Sequence, residues 1–531
     1  MSGSDKIIVT NLTALKKKYG RNGLSKIRAA IRRMITADKA RGLQTRLLAL
    51  DSASDMKKVK GTAVADFSST RQNKAAIDAV FTSIRPDYLM ILGATDVIPH
   101  QDLLNPAYGG DDIDEYAYGD IPYACEQAYS QRAEQFIGPT RVVGRLPDVT
   151  AGTDPAYLIA LLDTATKWTP RQRSDYAEYF AVSAAQWANS TTLSVQKLFG
   201  SDKDLNLSPT AGPKWSTAAL SRRAHFINCH GGPADPQFYG QKGKKYPVAH
   251  HAALVAGKIA EGTVAAVECC YGGELYDANL LTSKQQGMCN TYLAGKTYGY
   301  FASSTIAYGP AEGNGSADLL CQYFLGRVLA GASLGRAGLE ARQEFAQAGP
   351  DVDPFDIKTL AQFSLFGDPS IHPVAIATPH QAITDDRAKP SRARAAKTLT
   401  ATFTPIARAE RRKQLLTKGL FVSATQPVAR RLSRTSRAGA LTMLRRLARD
   451  ANIANAELIS FNIELQTTPA RDAATKKVFA AAPAAKLPQG GAYHVAISSH
   501  SKSDGPVRQI KAVIAKEFNG KLVSYRELLS R

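Results

Sequence analysis

Ala224-His225-Phe226-Ile227-Asn228-Cys229-His230-Gly231-Gly232 and Gly262-Thr263-Val264-Ala265-Ala266-Val267-Glu268-Cys269-Cys270-Tyr271-Gly272-Gly273-Glu274 are the two stretches that decide the fold of this chain. Each is a short run of small and β-branched residues bounded by glycine, the pattern of a buried β-strand. In a parallel α/β sheet, side chains just beyond the carboxyl ends of the strands gather at one edge. A histidine leaving one strand and a cysteine leaving another can therefore meet there. That pairing suits a thiolate nucleophile served by an imidazole acid/base. Alternate residues of a strand face opposite sides, so Cys269 and Cys270 are not both expected to reach His230. Cys270 lies further into the turn, where Gly272 and Gly273 allow a close backbone approach. Cys270 is thus the expected nucleophile, and Cys269 a buried, inert thiol. His230 is the expected proton carrier, because an imidazole titrates near neutral pH. His225, inside the strand, reads as structural.

Working outward, strand and helix patterns alternate. Strands are expected at Ile7–Thr10, Arg46–Leu50, Tyr88–Leu92, Tyr179–Ser183 and Tyr298–Ser303. Helices are expected around 11–19, 24–41, 72–84, 154–168, 191–199, 316–330 and 334–348. The alternation predicts an α/β fold with a mostly parallel sheet sandwiched by helices. The loop 233–247 is rich in Gly, Pro and Lys and is expected on the surface near the cleft. Residues 378–412, rich in Ala, Arg and Lys with scattered Pro, read as a basic linker. Beyond it, helices at 438–451 and 507–518 and strands at 458–465 and 493–498 predict a small C-terminal α+β domain of its own.

The two stretches resemble the caspase-like cysteine peptidases. Glu268-Cys269-Cys270-Tyr271-Gly272-Gly273 is similar to the Asp-Cys-Cys-His-Ser-Gly segment of metacaspases, whose second Cys is the nucleophile. Three further segments resemble the gingipain-like family. They are Tyr88-Leu89-Met90-Ile91-Leu92-Gly93-Ala94-Thr95-Asp96-Val97-Ile98-Pro99, Arg141-Val142-Val143-Gly144-Arg145-Leu146-Pro147, and Phe363-Ser364-Leu365-Phe366-Gly367-Asp368-Pro369-Ser370. The resemblance covers roughly 80–375 and implies a caspase-like sheet, in two such subdomains if it divides as gingipains do. The expected division is 1–170, a catalytic part 171–377, the linker 378–412 and a basic accessory domain 413–531. The resemblance also implies an oxyanion hole of main-chain N–H groups at Gly231 and Cys270, which would hold the charge that develops on the carbonyl oxygen. Metacaspases carry an Asp where this chain has Glu268, and cleave after Arg or Lys. A buried carboxylate demands a cationic partner, so Glu268, with Asp235 from the loop after His230, is expected to bind a basic P1 side chain of a protein substrate. The expected activity is that of a cysteine endopeptidase regulated by its C-terminal domain. The rival reading is an inactive caspase-like protein that binds nucleic acid or protein through its basic tail.

Composition bounds these expectations. The chain has 531 residues, 44% hydrophobic and 21% charged, as soluble globular proteins do. Residues 385–531 hold 28 Lys+Arg against 10 Asp+Glu, a balance of +18, while the preceding 384 hold 39 against 36. That field calls for an anionic ligand, nucleic acid or acidic partner at the tail. Arg387, Arg392, Arg394, Arg411 and Arg412 make the linker a candidate for self-cleavage. Met1–Lys6 lacks an apolar leader, no apolar run approaches the length of a membrane span, and six cysteines are too few for a disulfide framework, which together fit the cytoplasm. No cofactor is expected. Cys229, His230, Cys269, Cys270 and Cys289 lack zinc-ligand spacing. Gly109–Glu115 offers carboxylates to a hard cation such as Ca2+, but it matches no complete calcium loop and reads first as a plain loop.

Overall fold

The structure, a computed structural model, describes residues 4–109, 112–310, 312–348, 352–375, 425–431, 438–451, 453, 456–467, 491–499, 507, 509–518 and 521–531. The linker with its arginines lies outside the described residues. In the first half the strands are β1 (Lys6–Thr10), β2 (Thr45–Ala49), β3 (Tyr88–Leu92), β4 (Gln101–Leu104), β5 (Tyr116–Gly119), β6 (Val143–Leu146), β7 (Tyr179–Ala184), β8 (Leu205–Ser208), β9 (Ala224–Asn228), β10 (His230–Gly231), β11 (Gln237–Tyr239) and β12 (Val248–His251). They continue with β13 (Val264–Val267), β14 (Gly299–Ser303), β15 (Tyr308–Pro310), β16 (Phe363–Gly367), β17 (Thr425–Arg431), β18 (Glu457–Thr467), β19 (Gly491–Ser499), β20 (Ile510–Phe518) and β21 (Lys521–Ser530).

Ten strands form one sheet in the order β2-β1-β3-β6-β16-β14-β13-β9-β7-β8. All neighbours are parallel except β14 and β16, so two parallel halves meet at a single antiparallel seam. The sheet is continuous across residue 170, and β16, from the later part of the chain, completes the first half. Both faces are covered. Ile227, Ala265, Val267 and Cys269 belong to one hydrophobic cluster, while Phe226, Val264, Ala266 and Cys270 belong to the other. This is the alternation that a strand buried on both sides requires.

Buried charges lock the first half of the sheet, joining β1 to the turn after β16 and β6 to the turn after β3. Lys6, on β1, pairs with Asp38 (3.1 Å) and with Asp368 of the Gly-Asp-Pro-Ser segment, and also donates to Ser370 (3.1 Å). Arg145, on β6, donates to Asp120 through Nε (2.8 Å) and Nη2 (2.6 Å) and to the carbonyls of Gly93 and Ile98 after β3. Although Asp120 is buried, Arg145 and His100 hold its carboxyl well below the usual range. The motif residues Arg145 and Asp368 thus act as internal ties, each carrying a neutralised charge through the core.

The C-terminal strands form a six-stranded antiparallel sheet, β15-β21-β20-β19-β18-β17, with the helix Ala438–Asp450 packed on it. Two expectations are corrected here. Residues 510–518 are a strand, not the end of a helix, because Ile510, Ala512 and Ile514 on one side and Val513 and Ala515 on the other are buried in different clusters. Nor does this sheet stand alone: its edge strand β15 comes from the stretch that also carries β14 and β16 of the large sheet. Among the described residues no helix is long and apolar enough to cross a membrane.

Candidate active site

β9 and β13 run parallel and in register, with Ala224 opposite Val264 and Ile227 opposite Val267, so their carboxyl ends lie side by side. His230 follows β9 in the short strand β10, and Cys270 follows β13 in a turn. The two turns touch, since a Cβ at Gly231 would overlap the Cys270 carbonyl, which makes glycine obligatory there. Tyr271 takes a left-handed backbone (φ 54°), which turns the chain sharply after the thiol, and its hydroxyl is anchored on Asp114 (2.7 Å).

His230 is fully buried. Its Nε2 donates to Oε1 of Gln241 (2.8 Å), and Gln241 is fixed in turn because its own Nε2 donates to Gly243 O (3.1 Å). An amide oxygen only accepts, so the proton sits on Nε2 and Nδ1 presents its lone pair, without a hydrogen-bond partner. Burial brings the imidazole down to about 3. Gln241 is thus the residue that orients His230. It comes from the loop expected on the surface, yet it is buried. The ring packs on Trp187, with centroids 4.2 Å apart.

Cys270 and Cys269 fall in opposite clusters, as strand geometry requires. Cys269 Sγ accepts from the Cys229 N–H (3.3 Å), and Cys270 Sγ accepts from the Ala307 N–H (3.3 Å). No hydrogen bond joins Cys270 to His230. Burial raises the Cys270 thiol to about 12. The thiolate fraction at pH 8 is then about one in ten thousand, so alkylation of Cys270 by iodoacetamide should be slow at neutral pH and accelerate about tenfold per pH unit from 8 to 10. Peptide mapping of the adduct after timed exposure measures this.

The acidic residues are arranged differently from the expectation. Asp235 accepts from the Tyr239 hydroxyl (2.8 Å) and the Gln237 N–H (3.0 Å), with no bond to Glu268. Glu268 is fully buried and points to another carboxylate, Asp318, at the start of the helix Ser316–Leu329. Burial first, and the Asp318 charge second, push the Glu268 carboxyl well above its ordinary range. Asp318 was not legible as a site residue. It receives Nδ2 of Asn228 (3.2 Å) from the end of β9, and Nη2 of Arg531 reaches both of its oxygens (3.1 and 2.9 Å). The Arg531 guanidinium lies over the Trp187 ring, 4.4 Å from its centroid, and the Arg531 carbonyl accepts the Cys270 N–H at 3.1 Å. Asp318, Glu268 and Trp187 therefore form a buried acidic pocket filled by an arginine, beside the thiol and the imidazole.

The loop that offered carboxylates to calcium is engaged by a cation already present in the chain. Lys358, fully buried, donates to Asp112 (2.7 Å) and Asp114 (3.2 Å), and the Tyr308 hydroxyl donates to Asp112 (2.9 Å). Among the described residues no cluster of three or more His, Cys, Asp or Glu is arranged to hold a metal.

No protein-family model matches this chain, and no curated protein matches it. A solved structure described as "Structure of Protease" is similar at 15% identity with a TM-score of 0.44, over 70% of this chain and 79% of that one.

Proposed function

We propose that this protein is a cysteine endopeptidase that cleaves protein substrates after arginine or lysine. The observation that carries the reading is an arginine seated on the buried carboxylate of Asp318, with its carbonyl on the N–H of Cys270. That carbonyl marks where a scissile bond would lie. Cys270 attacks it, passing its proton to His230 Nδ1. The N–H groups of Cys270 and Gly231 hold the oxyanion, and His230 returns the proton to the departing amine, leaving a thioester that water hydrolyses. Asp318 supplies the pocket charge. Glu268 completes the floor of the pocket. The basic tail suits an anionic regulator, and a cytoplasmic setting would keep the thiol reduced.

The test is a series of fluorogenic peptides differing only at P1, given to the wild type and to Arg531→Gln, with and without calcium. Arg531→Gln should turn over the Arg and Lys peptides and not the Asp peptide, whereas the wild type, whose pocket is filled by its own Arg531, should turn them over far more slowly. In the Arg531→Gln background, Asp318→Asn should lower kcat/KM for the Arg peptide by about 100-fold, as loss of one member of a buried charge pair does. Glu268→Gln, at a carboxyl that makes no hydrogen bond to the seated arginine, should change it by less than about threefold. Preference for Asp, or indifference to Asp318→Asn, would contradict the pocket assignment.

A further inference from the structure

β21 is held as an extended peptide is held when it adds a strand to a sheet edge. It pairs antiparallel with β15, Tyr308 facing Ser530, Gly309 facing Leu529 and Pro310 facing Leu528. The ladder runs on past the strand, because the Arg531 N–H donates to Ala307 O at 2.9 Å. Arg531 then turns its side chain into the pocket. Its Nη2 reaches Asp318 and also the carbonyl of Pro310 (3.3 Å). Any Cβ on Gly309 would collide with the guanidinium, so glycine there keeps the entrance open. Main-chain pairing, a filled side-chain pocket and a carbonyl on the Cys270 N–H are the contacts that a substrate's residues up to P1 would need. Here the chain makes them to itself.

Resting on the peptidase reading, we infer that β21 is an inhibitory strand bound in cis, with Arg531 in the place of a P1 residue and Asp318 as the residue that recognises it. Both Arg531 and Asp318 side chains are fully buried, so no substrate reaches the pocket while β21 is seated. The β20–β21 hairpin is fastened to the catalytic part at two further points. Arg526 pairs with Asp353 and with Asp356 (2.9 Å), and Gln509, just before β20, donates to the Gln241 that orients His230 (3.2 Å). Release of the sheet would thus empty the pocket and loosen the support of His230 in one movement. A tethered occupant acts at an effective concentration in the millimolar range. A free peptide of ordinary affinity then sees only the small fraction of molecules whose cleft is open. The enzyme is latent until an activator draws β21 away.

The experiment reads binding, not turnover, so that failure here is separate from failure of the peptidase reading. A fluorescein-labelled peptide of residues 525–531 is titrated by anisotropy against the full chain carrying Cys270→Ala, alone and with Arg531→Gln. The Arg531→Gln form should bind at least about tenfold tighter than the form that keeps Arg531. A control peptide with Gln in place of its final Arg should not bind, and adding Asp318→Asn should abolish binding. Equal affinity with and without Arg531, absence of binding to Arg531→Gln, or binding indifferent to Asp318→Asn would each overturn the inference. Circular dichroism checks folding. If Arg531→Gln does not fold, Arg531→Lys keeps the charge but loses the planar fork, and should bind the peptide at least about threefold tighter than the form with Arg531. Equality between those two would overturn the inference equally.

Discussion

Replacement of Arg145 by Leu is expected to destabilise the protein by about 3–5 kcal/mol, the usual cost of removing one partner from a buried ion pair. Asp120 would be left in the interior without its main counter-charge, and only His100 Nδ1 at 2.9 Å would remain beside it. The carbonyls of Gly93 and Ile98 would lose their donor too, loosening the turn after β3. Against a total stability on the order of 5–15 kcal/mol, this loss should lower the melting temperature by about 8 °C or more. Differential scanning calorimetry provides the measurement. The double variant Arg145→Leu/Asp120→Leu should recover part of the loss, because it removes the stranded charge. If the double variant is no more stable than the single one, the charge is not what makes Arg145 necessary.

The second large effect is on turnover. In the Arg531→Gln background, where the pocket is open, Cys270→Ala should lower kcat by about ten-thousandfold or more, towards the residual rate left by binding and oxyanion contacts alone. Cys269→Ala should leave turnover within a few-fold, because Cys269 lies in the opposite cluster and only accepts the Cys229 N–H. The contrast between neighbouring cysteines separates nucleophile from scaffold without disturbing the fold. Each change removes one sulfur atom from a buried site, a loss of roughly 1 kcal/mol. Activity that survives Cys270→Ala would exclude this thiol as nucleophile.

What the sequence made legible is what local pattern encodes. β9 and β13 announce themselves as β-branched runs between glycines, and their adjacency in a parallel sheet brings the His230 and Cys270 turns together. The opposite facing of Cys269 and Cys270 follows from strand geometry alone. The partners of those residues were hidden because they come from elsewhere in the chain. Asp318 sits in the first turn of a helix whose sequence, Ser316-Ala317-Asp318-Leu319-Leu320, gives no sign that this carboxylate faces β9 and Arg531. Gln241 lies in a Gly- and Lys-rich loop that looks solvated, yet it is buried against His230. The lysines and apolar residues of β20 fit a helical period as well as a strand's, and only pairing with β19 and β21 decides for a strand. β21 carries no legible apolar pattern for a related reason. Val523 and Tyr525 are exposed, and its decisive contact is not an apolar face but one arginine at its end.

The central claim is that Cys270 is a nucleophile beside a pocket made for a guanidinium. It is tested most directly by covalent capture in the Arg531→Gln protein, using peptidyl chloromethyl ketones that end in Arg or in Asp, followed by peptide mapping. A single adduct on Cys270 with the arginyl probe, lost in Asp318→Asn and absent with the aspartyl probe, is the predicted result. Equal labelling by both probes, an adduct on Cys269 or Cys229 in its place, or no adduct on any cysteine would contradict it.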